Sequence, residues 1–144
     1  MISKKAKIGS NVTIEEFAII RDDVEIGNNV SVGSCVKIDN GARIGDDVKI
    51  HHGAVVSTIP QDLKFKNEYT LLSIGKGTVI REFASLNRST GVRPETVVGE
   101  NCFIMANAHI AHDCVVGNNV IMANSCALGG HVELGDFVIL GGLS

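Results

Sequence analysis

Residues 108 to 117 read AHIAHDCVVG, which puts His109, His112 and Asp113 within five positions of a chain otherwise rich in small aliphatics and glycine. An imidazole beside a carboxylate suits general-base chemistry. Near neutral pH the ring takes a proton from an attacking hydroxyl or amine, and the carboxylate fixes its tautomer. A backbone N–H facing the developing oxyanion would complete the set for acyl transfer. A further histidine, His131, follows in LGGHVELGDF. Any one of these histidines alone reads more simply as a surface residue, so the grouping carries the argument. A metal reading would need three imidazoles converging across a subunit seam. The spacings do not suggest that arrangement, and no metal is assigned.

The chain around them is 144 residues long and 44% hydrophobic, enough for one domain over residues 1–144 with its own core. Lys and Arg number 13 against 16 Asp and Glu, so there is no basic stripe to neutralise phosphates, and nucleic acid is not an expected partner. MISKKAKIGSNV carries lysines but no apolar run after them, and nowhere is there a stretch long enough to span a membrane. A cytoplasmic protein is expected. Its four cysteines then read as free thiols rather than a disulfide framework.

What positions the histidines is a period of six. Steps of six from Ile2 pass through Ile8, Ile14, Ile20, Ile26, Val32, Ile38, Ile44, Ile50 and Val56, then resume at Ile74 and run through Val92 to Leu140. Only Asp62 and Glu68 break the frame. Four residues after each aliphatic comes a small or β-branched side chain, such as Ala18, Val48, Thr78, Thr90, Cys102, Cys114 or Cys126, and glycine often directly follows the aliphatic. Six residues have room for one short strand and one turn, with the glycine or a nearby Asn or Asp in the left-handed backbone region. The expected fold is all-β, a parallel β-helix whose coils bury one another's inner faces. The pattern fails over 57–73, STIPQDLKFKNEYTLLS, read as one inserted loop. The three inward cysteines lie 12 residues apart, so on an 18-residue coil no two of them stack.

The hexads resemble those of the hexapeptide-repeat acyltransferases. That resemblance implies a left-handed β-helix of triangular section, with three hexads per coil, about eight coils in all, and a height of about 38 Å at a strand spacing of ~4.8 Å. On such a coil Gly130 lies over His112, and His131 over Asp113. The segments QDLKF, IREFASLNRST, MANAHIAHDCVVGNNVIMAN and LGGHVELGDF further resemble the acyl-carrier-protein-dependent UDP-N-acetylglucosamine O-acyltransferases that open lipid A biosynthesis. The resemblance implies His112 as general base, Asp113 as its orienting partner and the Gly130 N–H as oxyanion donor, with His109 and His131 lining the site. It implies that Gln61, Asp62 and Lys64 meet a UDP-amino sugar, that the acyl donor is an acyl carrier protein thioester with no cofactor, and that the assembly is a homotrimer with shared sites. Known members read IHRGT where this chain has LNRST, so Asn87 and Ser89 bear on sugar or acyl preference. Members also continue past the LGGLS at which this chain stops, into further coils and a C-terminal helical region, so the chain is expected to be a fragment, a truncation or a shortened relative. Two other readings stay open: an acetyl-CoA-dependent N- or O-acetyltransferase acting on a nucleotide sugar, and an inactive β-helix fragment that only associates or binds ligand.

Overall fold

A computed structural model describes residues 1–144, all strand and turn with no helix. No helix is therefore long and apolar enough to cross a membrane. The strands form three parallel sheets, two of seven strands and one of six, and successive strands fall on successive sheets. The chain thus winds around a triangular prism as a left-handed parallel β-helix. The first face begins with Lys7–Ile8, the second with Thr13–Ile14 and the third with Ile19–Ile20.

Most strands are only two or three residues long, and parallel pairing holds them in register. Ile8 pairs with Ile26, Ile26 with Ile44, Ile44 with Ile74, Ile74 with Val98, Val98 with Val116 and Val116 with Leu134. These aliphatics point inward, as do the small residues at the corners. Together they form one continuous core from Ala18 to Leu128. Burial of stacked side chains on all three faces supplies the stability that two-residue strands could not provide alone. Cys102, Cys114 and Cys126 belong to that core as free thiols. Cys102 donates to the Gly117 carbonyl and Cys114 to the Gly129 carbonyl, each at 3.1 Å, and burial pushes all three thiols up from their ordinary pKa.

At the regular turns the left-handed residue is the one two positions after the glycine: Asn or Asp at Asn11, Asn29, Asp47, Asn101 and Asn119, with φ between 53° and 58°, and other residues such as Cys35, Gly77 and Phe137 at the remaining turns. The glycine answers a different need. A Cβ on Gly27 would sit 2.4 Å from Oδ1 of Asp46, whose side chain reaches down from the next coil to accept from the Asn28 N–H. Close approach of coils, rather than backbone freedom, selects glycine there.

The prism has seven coils, not the eight that length alone suggests, because two loops consume chain. Strand Val55–Thr58 on the third face connects to Leu71–Ile74 on the first, so the first loop occupies 59–70 and the flanks of the expected 57–73 insertion are strand. A second loop, 88–94, joins Ser85–Asn87 to Glu95–Val98. It takes in Thr90 and Val92, which the hexad frame places in the inner wall. Val92 is instead 76% exposed. Seven coils at ~4.8 Å give a prism about 34 Å tall.

Candidate functional site

Both loops leave the prism along the same edge, where the third face turns into the first. The turns at 111–114 and 129–132 lie on that edge too, and they carry His112, Asp113, Gly130 and His131. Because coils stack in register, every residue singled out for chemistry lies along one edge or on the strand that leads into it.

Asp113 is the fixed point. It has φ of 59°, and its side chain is fully buried. Its backbone N–H donates to Thr96 Oγ1 at 2.9 Å. Its carboxylate accepts from Thr90 Oγ1 at 2.6 Å, from the Thr90 N–H at 3.3 Å and from the Arg93 N–H at 3.2 Å. The His112 Nδ1 lies 2.8 Å from Oδ2. Burial works to raise the Asp113 pKa, but the hydrogen bonds from Thr90, His112 and Arg93 outweigh it, and the net shift is downward. An ionised carboxylate can only accept, so the Nδ1 facing it carries the ring proton. The Nε2 lone pair of His112 is then available as a base.

The other side of the imidazole explains Gly130. The ring lies against its bare Cα, where a Cβ would come within 2.5 Å of His112 Cε1. The Gly130 N–H has no acceptor within the chain, unlike the next N–H, that of His131, which donates to the His112 carbonyl at 3.1 Å. The His131 ring meets that of His112 edge-on, centroids 5.1 Å apart, with its Nε2 4.0 Å from Asp113 Oδ2. His112, Asp113, Gly130 and His131 are thus brought together. His109 lies one turn earlier on strand His109–Ile110, where Ser85 Oγ meets its Nδ1 at 2.7 Å. Burial lowers its pKa against the raising effect of the Ser85 contact, and His112 lowers it further.

Gln61, Asp62 and Lys64 are not brought to this cluster within one chain. They sit on the 59–70 loop, two coils below the His112 turn and so about 10 Å along the edge. Asp62 accepts the Lys64 N–H at 2.8 Å in a local turn, and no hydrogen bond or ion pair joins the three to His112, Asp113 or His131. Asn87 braces that loop: its amide donates to Thr58 Oγ1 at 2.8 Å and to the Ile59 carbonyl at 3.3 Å. Ser89 closes the smaller loop through a 2.7 Å bond to the Arg93 carbonyl.

Sequence reasoning missed Thr90, Arg93 and Thr96 as parts of the site. The signal available was the Gly91 and Pro94 punctuation around them, which the intact hexad count masked. As for a cation, the group able to hold one is again His112, Asp113 and His131, whose ligand atoms lie within 4.8 Å of one another. A carboxylate has about four lone-pair sites. The donors from Thr90, Arg93 and His112 already fill those of Asp113, so this donor set fits an oriented base better than a metal centre.

The description bacterial transferase hexapeptide (six repeats) matches residues 5–40 and 95–130, half of the chain. The chain belongs to this family. Over 109 residues it is 41% identical to the acyl-(acyl-carrier-protein) UDP-N-acetylglucosamine O-acyltransferase of Chlamydia caviae, an alignment covering 76% of this chain and 39% of that one. The enzyme of the same name from Sulfurihydrogenibium sp. is 46% identical over 110 residues, with 76% and 41% covered. A crystal structure of a UDP-N-acetylglucosamine acyltransferase superimposes with a TM-score of 0.98 at 42% identity, over 99% of this chain and 56% of that one. The enzyme from Campylobacter jejuni superimposes with a TM-score of 0.93 at 45% identity, over 99% and 56%. The chain spans about two fifths of the length of these curated relatives.

Proposed function

We propose that this hexapeptide-repeat chain carries the site of an acyltransferase that moves a 3-hydroxyacyl group from acyl carrier protein to the 3-hydroxyl of UDP-N-acetylglucosamine, in the cytoplasm, as the first step of lipid A biosynthesis. The observation that carries this reading is the His112 imidazole, held through Nδ1 by a buried carboxylate, with the unspent Gly130 N–H beside it. In this mechanism His112 Nε2 takes the proton of the sugar hydroxyl as its oxygen attacks the thioester carbonyl. The Gly130 N–H donates to the resulting oxyanion. The C–S bond then breaks, and the departing thiolate takes the proton back from the imidazolium. Asp113 holds the ring and balances its transient positive charge. His109 and His131 line the approach, and the reaction calls for no cofactor.

Gln61, Asp62 and Lys64 are assigned to the nucleotide sugar, an ammonium on a flexible stem suiting a diphosphate and a carboxylate suiting hydroxyls. Their separation from His112 within one chain supports a homotrimer in which each site combines the edge of one subunit with the loop of the next. An outward ladder of Val79, Phe103, Ile121 and Ile139 on the second face offers an apolar wall for such a seam.

The test offers UDP-N-acetylglucosamine with 3-hydroxyacyl carrier protein and, separately, its 3-amino analogue with acetyl-CoA. Product is expected from the first pair, and His112→Ala is expected to lower the rate by about 10²- to 10⁴-fold. Product from the second pair alone would replace this reading with an acetyltransferase. A folded trimer active on neither would sink both.

A further inference from the structure

The 88–94 loop is longer than any turn the hexad needs, and its hydrogen bonds converge on one group. Thr90 supplies both its hydroxyl and its backbone N–H to the Asp113 carboxylate, and Arg93 supplies a second backbone N–H. Thr96, the second residue of the strand that follows, accepts the Asp113 N–H. The loop is itself held at three points. Ser89 bonds across it to the Arg93 carbonyl, Gly91 makes the reversal at φ of 102°, and the Arg93 guanidinium pairs with Glu133 on the first face two coils further along. Nothing else in the chain reaches Asp113 except His112, and His131 at 4.0 Å. We infer that the 88–94 loop is a positioning device for the base, with Thr90 as the positioning residue that holds the Asp113 carboxylate in the one orientation from which it fixes the His112 tautomer.

The physical case rests on lone pairs. Oδ1 takes the Arg93 N–H, and the Thr90 N–H is shared between Oδ1 and Oδ2 at 3.3 Å from each. The two short contacts of Oδ2 are the Thr90 hydroxyl and His112 Nδ1, so the hydroxyl leaves His112 the remaining strong direction on Oδ2. With the hydroxyl gone, Oδ2 has a second direction free. The carboxylate can then rotate toward the His131 Nε2 at 4.0 Å, and His112 loses its sole claim on the anion. Thr90 touches no reacting atom in this scheme and acts through Asp113 and His112. The inference rests on the reading of His112 as general base, while its structural half can be tested without any substrate.

The experiment compares Thr90→Val, which keeps the shape and removes the hydroxyl, with Thr90→Ser, which restores it. NMR of the imidazole nitrogens and the side-chain carboxyls reads the folded chain directly, with thermal unfolding as the control. In the parent the His112 ring is expected as a single Nδ1–H tautomer. In Thr90→Val it becomes a mixture, and the Asp113 titration moves up by about one pH unit; Thr90→Ser behaves as the parent. Thr90→Ala carries the test should the valine variant fail to fold. A parental tautomer and carboxyl midpoint in Thr90→Val, or a serine variant no closer to the parent than valine, would overturn the inference. In the acyl-transfer assay Thr90→Val is expected to lower kcat about 10-fold with KM unchanged. If the parent transfers no acyl group, the proposed reaction fails while the spectra still decide the role of Thr90.

Discussion

A left-handed backbone conformation at Asp113 is part of how the site works, because it turns the carboxylate inward beneath the 88–94 loop rather than out into solvent. Aspartate and asparagine tolerate that conformation better than most residues. Asp113→Asn therefore keeps the turn but sets an amide NH2 among the N–H and O–H donors of Thr90 and Arg93. A loss in kcat of about 10²- to 10⁴-fold is expected, together with a lower Tm, and both can be read on one purified variant. Parental kcat in that variant would remove Asp113 from the scheme. His109 makes a separate prediction. Burial depresses its pKa in the folded chain, so the unfolded chain binds more protons as pH falls below about 6.5. Its contribution to stability is fully present above that value and is lost as pH falls through the folded pKa. The Tm is thus expected to drop between pH 7.5 and pH 5, and to drop less in His109→Asn. Equal drops would mean that other groups set the acid response.

The two loops show how far an element can be read from a period. A six-residue repeat counts chain, not space. Val56 to Ile74 is 18 residues and Leu86 to Val98 is 12, where consecutive inward positions need six, so both insertions are multiples of the hexad and leave the frame intact. The first was visible only because Asp62 and Glu68 stand where aliphatics belong. The second hid because Val92 happens to be apolar and Thr90 happens to be β-branched. The His112, Asp113, Gly130 and His131 cluster was legible for the opposite reason: its two coils carry no insertion, so an 18-residue offset translates directly into stacking. Truncation separates the two kinds of position. Leu86→Ala, at a fully buried strand residue, should cost about 2 to 5 kcal/mol by denaturant unfolding. Val92→Ala should stay within about 0.5 kcal/mol. Similar losses at both sites would put Val92 back in the wall. Gly130→Ala tests the element that holds the ring. Its Cβ would displace His112, so activity should fall at least as far as in Asp113→Asn, while the Tm changes little at this exposed turn.

Along the whole prism the outward residues change character. Toward the first coils each face carries charge: Lys7, Glu25 and Arg43 stack on the first face, Lys49 on the second and Lys37 on the third, with Lys7 and Glu25 paired at 2.8 Å. Toward the later coils the second face turns apolar, with Val79, Phe103, Ile121 and Ile139 at the same register positions, while the first face passes through Val97 and Val115 and returns to charge at Glu133. Ile139 is 70% exposed, and such an apolar ladder is what a subunit seam needs. The seam proposed for the trimer therefore lies at the coils that bear His112 and His131, not at the charged end. Light scattering on the parent should give three times the chain mass. Ile121→Lys, which puts an ammonium in the middle of the ladder, should give monomer, while Thr13→Lys, on the same face among the early coils, should leave the trimer intact. If the site is shared, the Ile121→Lys monomer loses transfer activity even though its own His112 and Asp113 keep their parental NMR signature. An active monomer would mean that Gln61, Asp62 and Lys64 reach the sugar from the same chain, and that the 59–70 loop swings about 10 Å along the edge to do so.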